Sequence, residues 1–460
     1  MSTGTIHLQA KEERAYRFPP GIPHNLLWEA LRNLGPVDPI PFFERLVRDY
    51  GKLASYRVGR QKVVFVSDPE LIREVLVVQN DNFIKGEPLR RSKVLLGNGM
   101  ITAEHADWRT QRQAAQPAFH RQRIRRYAGE MVDLAIAARD QIAPGREFDL
   151  ARFLMELALK IVAKTLFDTE LESEATIVAG EINNIMDVYN FMMVVPAPHL
   201  LLHLPFPQVV AFHRARRRVD ATVHRMIEEH LHGPKRGNGD LLSMMIESLP
   251  NVESEAGKQQ LRDQVVTIFL AGYETTANAL AWTLRLLGEH PQVEEQLLGE
   301  VDSVLNGRVA TLDDVPQLKY SEMVLAESLR LYPPAWAQVR QALNDFQLGD
   351  YLLPARTTVL MSQWIMHRSP AFFPDPQRFD PERFRPDAKA SRPKFAYFPF
   401  GGGARQCIGE AFAWMEGVLV LATLLQRWRF RLIPGQTFEP QSLITLRPKH
   451  GVRVLAEPRG

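Results

Sequence analysis

The chain reads as a mainly helical α+β protein with small β-sheets, and three observations carry that reading. From Trp108 to about Met245 the apolar positions recur at helical spacing, interrupted by Pro/Gly-rich breaks at 144–145, 196–207 and 233–239. A long helical pattern then runs from about Gln259 to His290. Strand-like runs are short and fall toward the two ends of the sequence.

The elements follow in order. Pro-rich punctuation near 18–41 precedes a helix-like stretch from Pro41 to Tyr50. Tyr56 to Val66, YRVGRQKVVFV, alternates as a hairpin turning at Gly59-Arg60. Asp68-Pro69-Glu70 combines a cap, a proline at the first helical position and an acid in the first turn, which predicts a helix start. After the long helix, another covers roughly Ser321 to Leu331 and stops at Pro333-Pro334. Short strands are expected between 338 and 361, a Pro-rich aromatic loop region over 370–400, and a final helix over about Gly409 to Arg427. TLRPKHGVRVL, near the end, predicts a closing hairpin. No shift in composition marks a boundary, so residues 1–460 are expected to form one domain.

The bulk numbers exclude several classes. With 460 residues, 45% hydrophobic and 24% charged, the chain can bury a core deep enough to shelter a cofactor. A net charge of +3 carries no global signal for nucleic acid. The N-terminus MSTGTIHLQAKEERAYRFPPGIP lacks the apolar core of a signal peptide. No run reaches the ~20 apolar residues needed to span a bilayer, and the most apolar stretch, Phe191 to Leu204, is broken by Pro196 and Pro198. A cytoplasmic protein without a transmembrane anchor is expected. Cys407 is the only cysteine, which rules out an internal disulfide and a Cys-ligated iron–sulfur cluster.

Residues 400–409 read FGGGARQCIG. Consecutive glycines let the backbone approach another group closely, and their N–H groups are expected to point at the sulfur. Cys407 lies just before a helix, EAFAWMEGVLVLATLL, that is apolar on most faces and therefore buried; the helix N-terminus favours a thiolate. Such a cysteine suits a soft or borderline metal. The bland alternative is a Gly-rich turn with an incidental buried Cys. Phosphate binding is disfavoured because no Gly-Lys-Ser/Thr follows and no dinucleotide fingerprint is present.

At these residues the chain resembles the cytochrome P450 superfamily. Phe400, Gly403, Arg405, Cys407 and Gly409 fill the haem-binding signature of that family. The resemblance extends in order along nearly the whole chain: Trp108 and Arg112 on an earlier helix, Ala271-Gly272-Tyr273-Glu274-Thr275 on the long helix, Glu327-Ser328-Leu329-Arg330, and Phe379-Asp380-Pro381-Glu382-Arg383-Phe384. It implies haem b held between the long central helix and the Cys-bearing loop.

The resemblance also implies roles. Cys407 becomes the proximal iron ligand, and Phe400 packs beside the haem. Arg405, Trp108, Arg112 and Arg340 hold the haem propionates, carboxylates that need donor partners in an apolar site. His105, four before Arg109, offers a competing register for the Trp108/Arg112 pair. Gly272, costly in mid-helix by ~1 kcal/mol, implies a local opening of the helix beside the haem that admits dioxygen. Thr275 would hydrogen-bond the dioxygen and Glu274 would help deliver protons. Glu327, Arg330 and Arg383 would form a buried structural network rather than a catalytic one.

For the substrate, the family's pocket segments map onto the 85–103 loop, the 186–206 region with Met192 to Val195 and Leu200 to Leu202, Phe269 to Gly272, and Ala335-Trp336-Ala337. A hydrophobic small molecule such as a fatty acid or terpenoid is expected, although these residues also suit a plain core. Arginines cluster at Arg121, Arg123, Arg125 and Arg126 and again at 214–218. Each cluster reads by default as a solvated face, but the first follows the propionate helix and could dock an acidic electron donor, a ferredoxin or flavodoxin-type protein. The leading reading is therefore a haem-thiolate monooxygenase fed by separate redox proteins. The rivals are a peroxide-using haem-thiolate enzyme and a non-enzymatic haem sensor or carrier.

Overall fold

A computed structural model describes residues 15–26, 38–170, 180–181, 206–233, 235, 237 and 239–459. Helices dominate, as the periodicity predicts. Helix α1 spans Pro39–Tyr50, its N-terminus capped by the Asp38 carboxylate, which accepts from the Ile40 amide at 3.1 Å. Strands β1 (Gly21–Asn25), β2 (Leu53–Val58) and β3 (Gln61–Val66) follow one another in a sheet, and β2–β3 is the expected hairpin. Its turn is possible because Gly59 adopts a φ of 61°. The Asp68 cap works as read: its side chain accepts from the amides of Glu70 and Leu71.

The six-stranded sheet is completed by β4 (Phe83–Lys85), β6 (Gln338–Ala342) and β9 (Thr358–Met361), in the order β1-β2-β3-β9-β6-β4. This order puts Lys85 opposite Arg340, two strands that are distant in sequence. Strands β7 (Phe346–Leu348) and β8 (Tyr351–Leu353) form a separate two-stranded ribbon.

The helical part is built on α7 (Glu255–Glu289), a helix of 35 residues and thus about 52 Å long at ~1.5 Å per residue. It begins before the predicted Gln259 because Ser254 accepts a hydrogen bond from the Gly257 amide and caps it there. Against it pack α4 (Leu150–Phe167), α5 (Pro207–Leu231), α6 (Leu241–Ser248), α8 (Pro291–Leu305), α9 (Lys319–Leu331) and α10 (Glu410–Leu425), while α2 (His105–Ala115) packs on α6 and α3 (Arg121–Asp140) on α10 and α4. Helix α4 is apolar almost all round and lies along α7, with Phe167 stacked on Phe269 at 4.6 Å. Helix α10 is buried from Met415 to Leu425, as its composition predicts, while its first turn is partly exposed.

The closing hairpin is not formed. Strand β12 (Leu446–Pro448) pairs with β11 (Pro440–Ser442), whereas β13 (Arg453–Pro458) lies between β10 (Trp428–Leu432) and β5 (Glu147–Asp149). The Asp149 carboxylate explains the divergence. It caps α4 through the Ala151 amide and also accepts from the Val452 amide, drawing the last strand toward the start of α4. Gly451, with φ of 70°, makes the turn; a Cβ there would sit 2.5 Å from that carboxylate. Of the break expected at 196–207, only Phe206 and Pro207 lie within the described residues.

Candidate active site

Cys407 sits between a short 3-10 turn, Gly403–Arg405, and α10. Its own amide donates to the Phe400 carbonyl at 3.0 Å, closing the loop. The glycines have a packing role. Gly403 has φ of 68°, and a Cβ on it would lie 1.8 Å from the Leu76 carbonyl oxygen; one on Gly402 would lie 2.4 Å from the Phe395 ring. The backbone hydrogen bond to the sulfur comes from Gly409, where the preceding glycines were expected to supply it. The Cys407 thiol has accessible surface, yet protein encloses it closely enough that burial pushes its pKa up, with the Gly409 amide and Arg112 pulling it down. Phe400 is half-buried beside Cys407, its ring 5.7 Å from that of Trp414.

Four cations gather around this loop. Arg112 donates to the Gln406 carbonyl at 2.7 Å. Arg405 lies over the Trp108 ring at 4.1 Å and donates to the Ala103 carbonyl at 3.2 Å. Arg340 is 8% exposed and donates only to its neighbours, the Val339 carbonyl and the Gln338 side chain. Burial pulls its pKa down to about 10. Lys85, missed by the sequence reading, is also buried; its ammonium donates to the Met100 and Ala103 carbonyls at 2.7 and 2.9 Å. Burial, then Arg405, pulls its pKa down to about 6. The carboxylate ion-paired with this set is Glu104, also missed, which binds Arg405 at 2.7 Å. Trp108, Arg112, Arg340 and Arg405 are thus brought together as read. His105 is exposed, so the competing register carries no inward side chain.

The central helix departs from expectation. α7 is continuous through Gly272–Thr275, with no local opening. A Cβ on Gly272 would lie 2.9 Å from Val162 of α4, so the close helix crossing favours a glycine here. The Thr275 hydroxyl donates to the Ala271 carbonyl at 2.7 Å. Ala271 is exposed and Gly272 and Thr275 are half-exposed, a face of α7 left accessible within an otherwise buried stretch. Glu274 points elsewhere. It is buried and accepts from the Thr445 hydroxyl, which in turn accepts from Asn278.

Glu327 and Arg330 form a bidentate pair at 2.6 and 2.7 Å, both fully buried. The rest of the Arg330 guanidinium donates to the carbonyls of His367, Pro376 and Arg378, and the Asp380 amide donates to Glu327. Arg383 joins at 3.5 Å. Of the expected pocket segments, Trp336 donates to the Leu443 carbonyl and lies near Phe43, a scaffold position. The apolar 186–205 stretch lies outside the described residues.

A family profile described as Cytochrome P450 matches residues 19–454, and the chain belongs to the cytochrome P450 family. It is 36% identical over 417 residues to cyclooctatin synthase of Streptomyces melanosporofaciens, covering 89% of each chain. It is 34% identical over 422 residues to pentalenene oxygenase of Streptomyces avermitilis, covering 91% of this chain and 92% of the relative. A cytochrome P450 crystal structure matches with a TM-score of 0.81 and 25% identity, over 93% of this chain and 100% of that one. The protein is accordingly a cytochrome P450 monooxygenase, a class whose cofactor is a haem-thiolate. Among the described residues, no helix is long and apolar enough to cross a membrane.

The residues fit such a cofactor. Among the described residues Arg112, Arg340 and Arg405 have one ion-paired carboxylate between them, Glu104; Arg340 reaches the Val339 carbonyl and the Gln338 side-chain oxygen but no acid, and the buried amide nitrogen of Gln338 has no partner. Two haem propionates supply what these donors lack.

Proposed function

We propose that Cys407 ligates the iron of haem b and that the protein hydroxylates a hydrophobic small molecule, a fatty acid or terpenoid, in the cytoplasm with electrons from a ferredoxin or flavodoxin-type donor. The observation that carries this reading is the Cys407 thiol beside buried Arg340 and half-buried Arg112 and Arg405, with Glu104 the carboxylate ion-paired among them in the described residues. Trp108, Arg112, Arg340 and Arg405 hold the propionates, and Phe400 packs against the ring near the sulfur. A thiolate-ligated haem supplies electron density that favours cleavage of the dioxygen O–O bond. Thr275 lies on the accessible face of α7; turned off the Ala271 carbonyl, its hydroxyl proton becomes available to a bound reactant. Glu274 acts from behind it, anchored by Thr445. Two relatives carry names that speak of an alkene, pentalenene, and an alkenol, cyclooctat-9-en-7-ol, which supports an apolar substrate.

The test is spectroscopic. The reduced carbon monoxide complex should show the strongly red-shifted band of thiolate ligation, and Cys407→His should abolish it. A band that persists in the His variant would falsify the ligand assignment. Screening hydrophobic compounds for spin-state shifts of the ferric protein then identifies the substrate class.

A further inference from the structure

Glu104 is an unusual presence in a site that has to receive two carboxylates. Its backbone is extended, and the residue after it, His105, starts α2 with φ of 48°. A non-glycine residue in that region carries strain, which persists only where the surroundings impose it. The result of the kink is that Glu104 turns inward while His105 stays outside. One Glu104 oxygen accepts from the Lys85 backbone amide at 2.6 Å, and the other accepts from the Arg405 guanidinium at 2.7 Å. Its side chain is 14% exposed and that of Arg405 12%. Glu104 therefore ties three separate pieces of chain together: the β4 strand, the start of α2 and the loop two residues before Cys407.

The same carboxylate also changes the charge around that loop. It lies 2.7 Å from the Arg405 guanidinium and is bonded to the strand of Lys85, which pairs with that of Arg340, so it places a negative charge among these basic side chains. The neutral residue of similar shape, Gln, keeps one acceptor oxygen and places an amide donor where the other was, so it can keep one of the two hydrogen bonds and does not supply this negative charge.

We propose that Glu104 is a positioning residue of the cofactor site: it seats Arg405 and the Lys85 strand, and its fixed charge makes the bound haem harder to reduce. This rests on the cation cluster being the propionate site. Reduction adds one electron to the ferric iron, here from dithionite, with no other bond made or broken. A nearby carboxylate opposes that added charge, and it does so more strongly where water is excluded.

The experiment compares wild type, Glu104→Gln and Glu104→Asp as haem-loaded proteins. The carbon monoxide spectrum comes first: a wild type without the red-shifted band overturns the family reading and leaves nothing for Glu104 to tune. With that band present, mediated dithionite titration should give Glu104→Gln a more positive midpoint potential than wild type. Glu104→Asp keeps the charge and should keep the wild-type potential. Because Asp is one methylene shorter, it should lose haem to apomyoglobin at least several-fold faster. A wild-type potential in a fully loaded Glu104→Gln protein overturns the charge role. If the Gln variant loads no haem, the Asp variant decides, and wild-type haem release there overturns the seating role.

Discussion

At the scale of single residues, what the sequence reveals depends on how far apart the partners lie. Cys407 and Thr275 stand out in the sequence because each sits inside a short motif of the family. Glu104 is not legible, since its partner Arg405 lies 301 residues further along the chain, and Lys85 is not, since no local pattern shows that its ammonium is buried on the Met100 and Ala103 carbonyls. Thr275 yields the first prediction. Thr275→Ala removes the hydroxyl that now donates to Ala271 and leaves the continuous helix intact. Haem content, substrate binding and reductant consumption should persist, while product per reductant falls and hydrogen peroxide rises, since proton positioning is typically worth ~100- to 10,000-fold. Unchanged coupling would remove Thr275 from the proton path. Glu416 yields the second. It is fully buried in α10 facing Thr276, and burial pushes its carboxyl well above the usual range. A raised folded pKa means that the fold favours the neutral acid. That stability is present below the unfolded value of about 4.3 and is lost as pH rises toward the folded value. Glu416→Gln should therefore match wild type in melting temperature near pH 4 and exceed it at pH 8. A difference that does not grow with pH would mean that Glu416 is already ionised in the fold.

At the scale of elements, periodicity located helices and short strands but could not choose their partners. The hairpin at Gly59-Arg60 was legible because its two strands pair across one tight turn. The strands after Thr445 were not, because a carboxylate at Asp149, far back in the chain, sets where the last strand goes. The glycine in α7 was noticed for its cost, yet the crossing that favours it involves Val162 of another helix, which no local pattern reports. The Glu327 network was legible as a motif, and the structure adds what it holds: the carbonyls of His367, Pro376 and Arg378. These carbonyls belong to the long loop region that precedes Phe400. Removing one member of a buried charged set costs about 3–5 kcal/mol, because the others are left unpaired. Glu327→Ala should lower the melting temperature sharply and yield little haem-loaded protein. Wild-type melting together with full haem content would show that the loop holds its shape without the pair.

At the scale of the whole molecule, electron supply poses a problem that the overall charge does not solve. The net charge is only +3, so nothing global draws in an acidic donor, and any attraction has to be local. The candidate face lies where α2, the helix that carries Trp108 and Arg112, runs into α3. A surface groove there is lined by Gln113, Gln116, Pro117, His120, Gln122 and Arg123, with no acidic side chain. Not every arginine of the cluster is equally available. Arg125 is already paired with Asp313 at 3.2 Å, and Arg123 donates to the Gly239 carbonyl, which leaves its charge uncompensated. Arg126 is exposed and makes no ion pair among the described residues. The steering charge therefore belongs to Arg123 and Arg126 more than to Arg125. Exposed charges are screened beyond ~10 Å at 0.1 M salt, and steering of this kind changes association rates by roughly 10- to 1,000-fold. Reduction by an acidic ferredoxin, followed by stopped flow, should slow steeply with ionic strength. Arg123→Glu with Arg126→Glu should slow it by about tenfold or more at low salt and flatten its salt dependence. Arg125→Glu alone should do less, since it changes the local charge by two units where the double variant changes it by four. Reduction by dithionite should be the same in all of these proteins, which separates docking from any change at the haem. If the double variant is reduced by the ferredoxin at the wild-type rate and with the wild-type salt dependence, the donor approaches from another face.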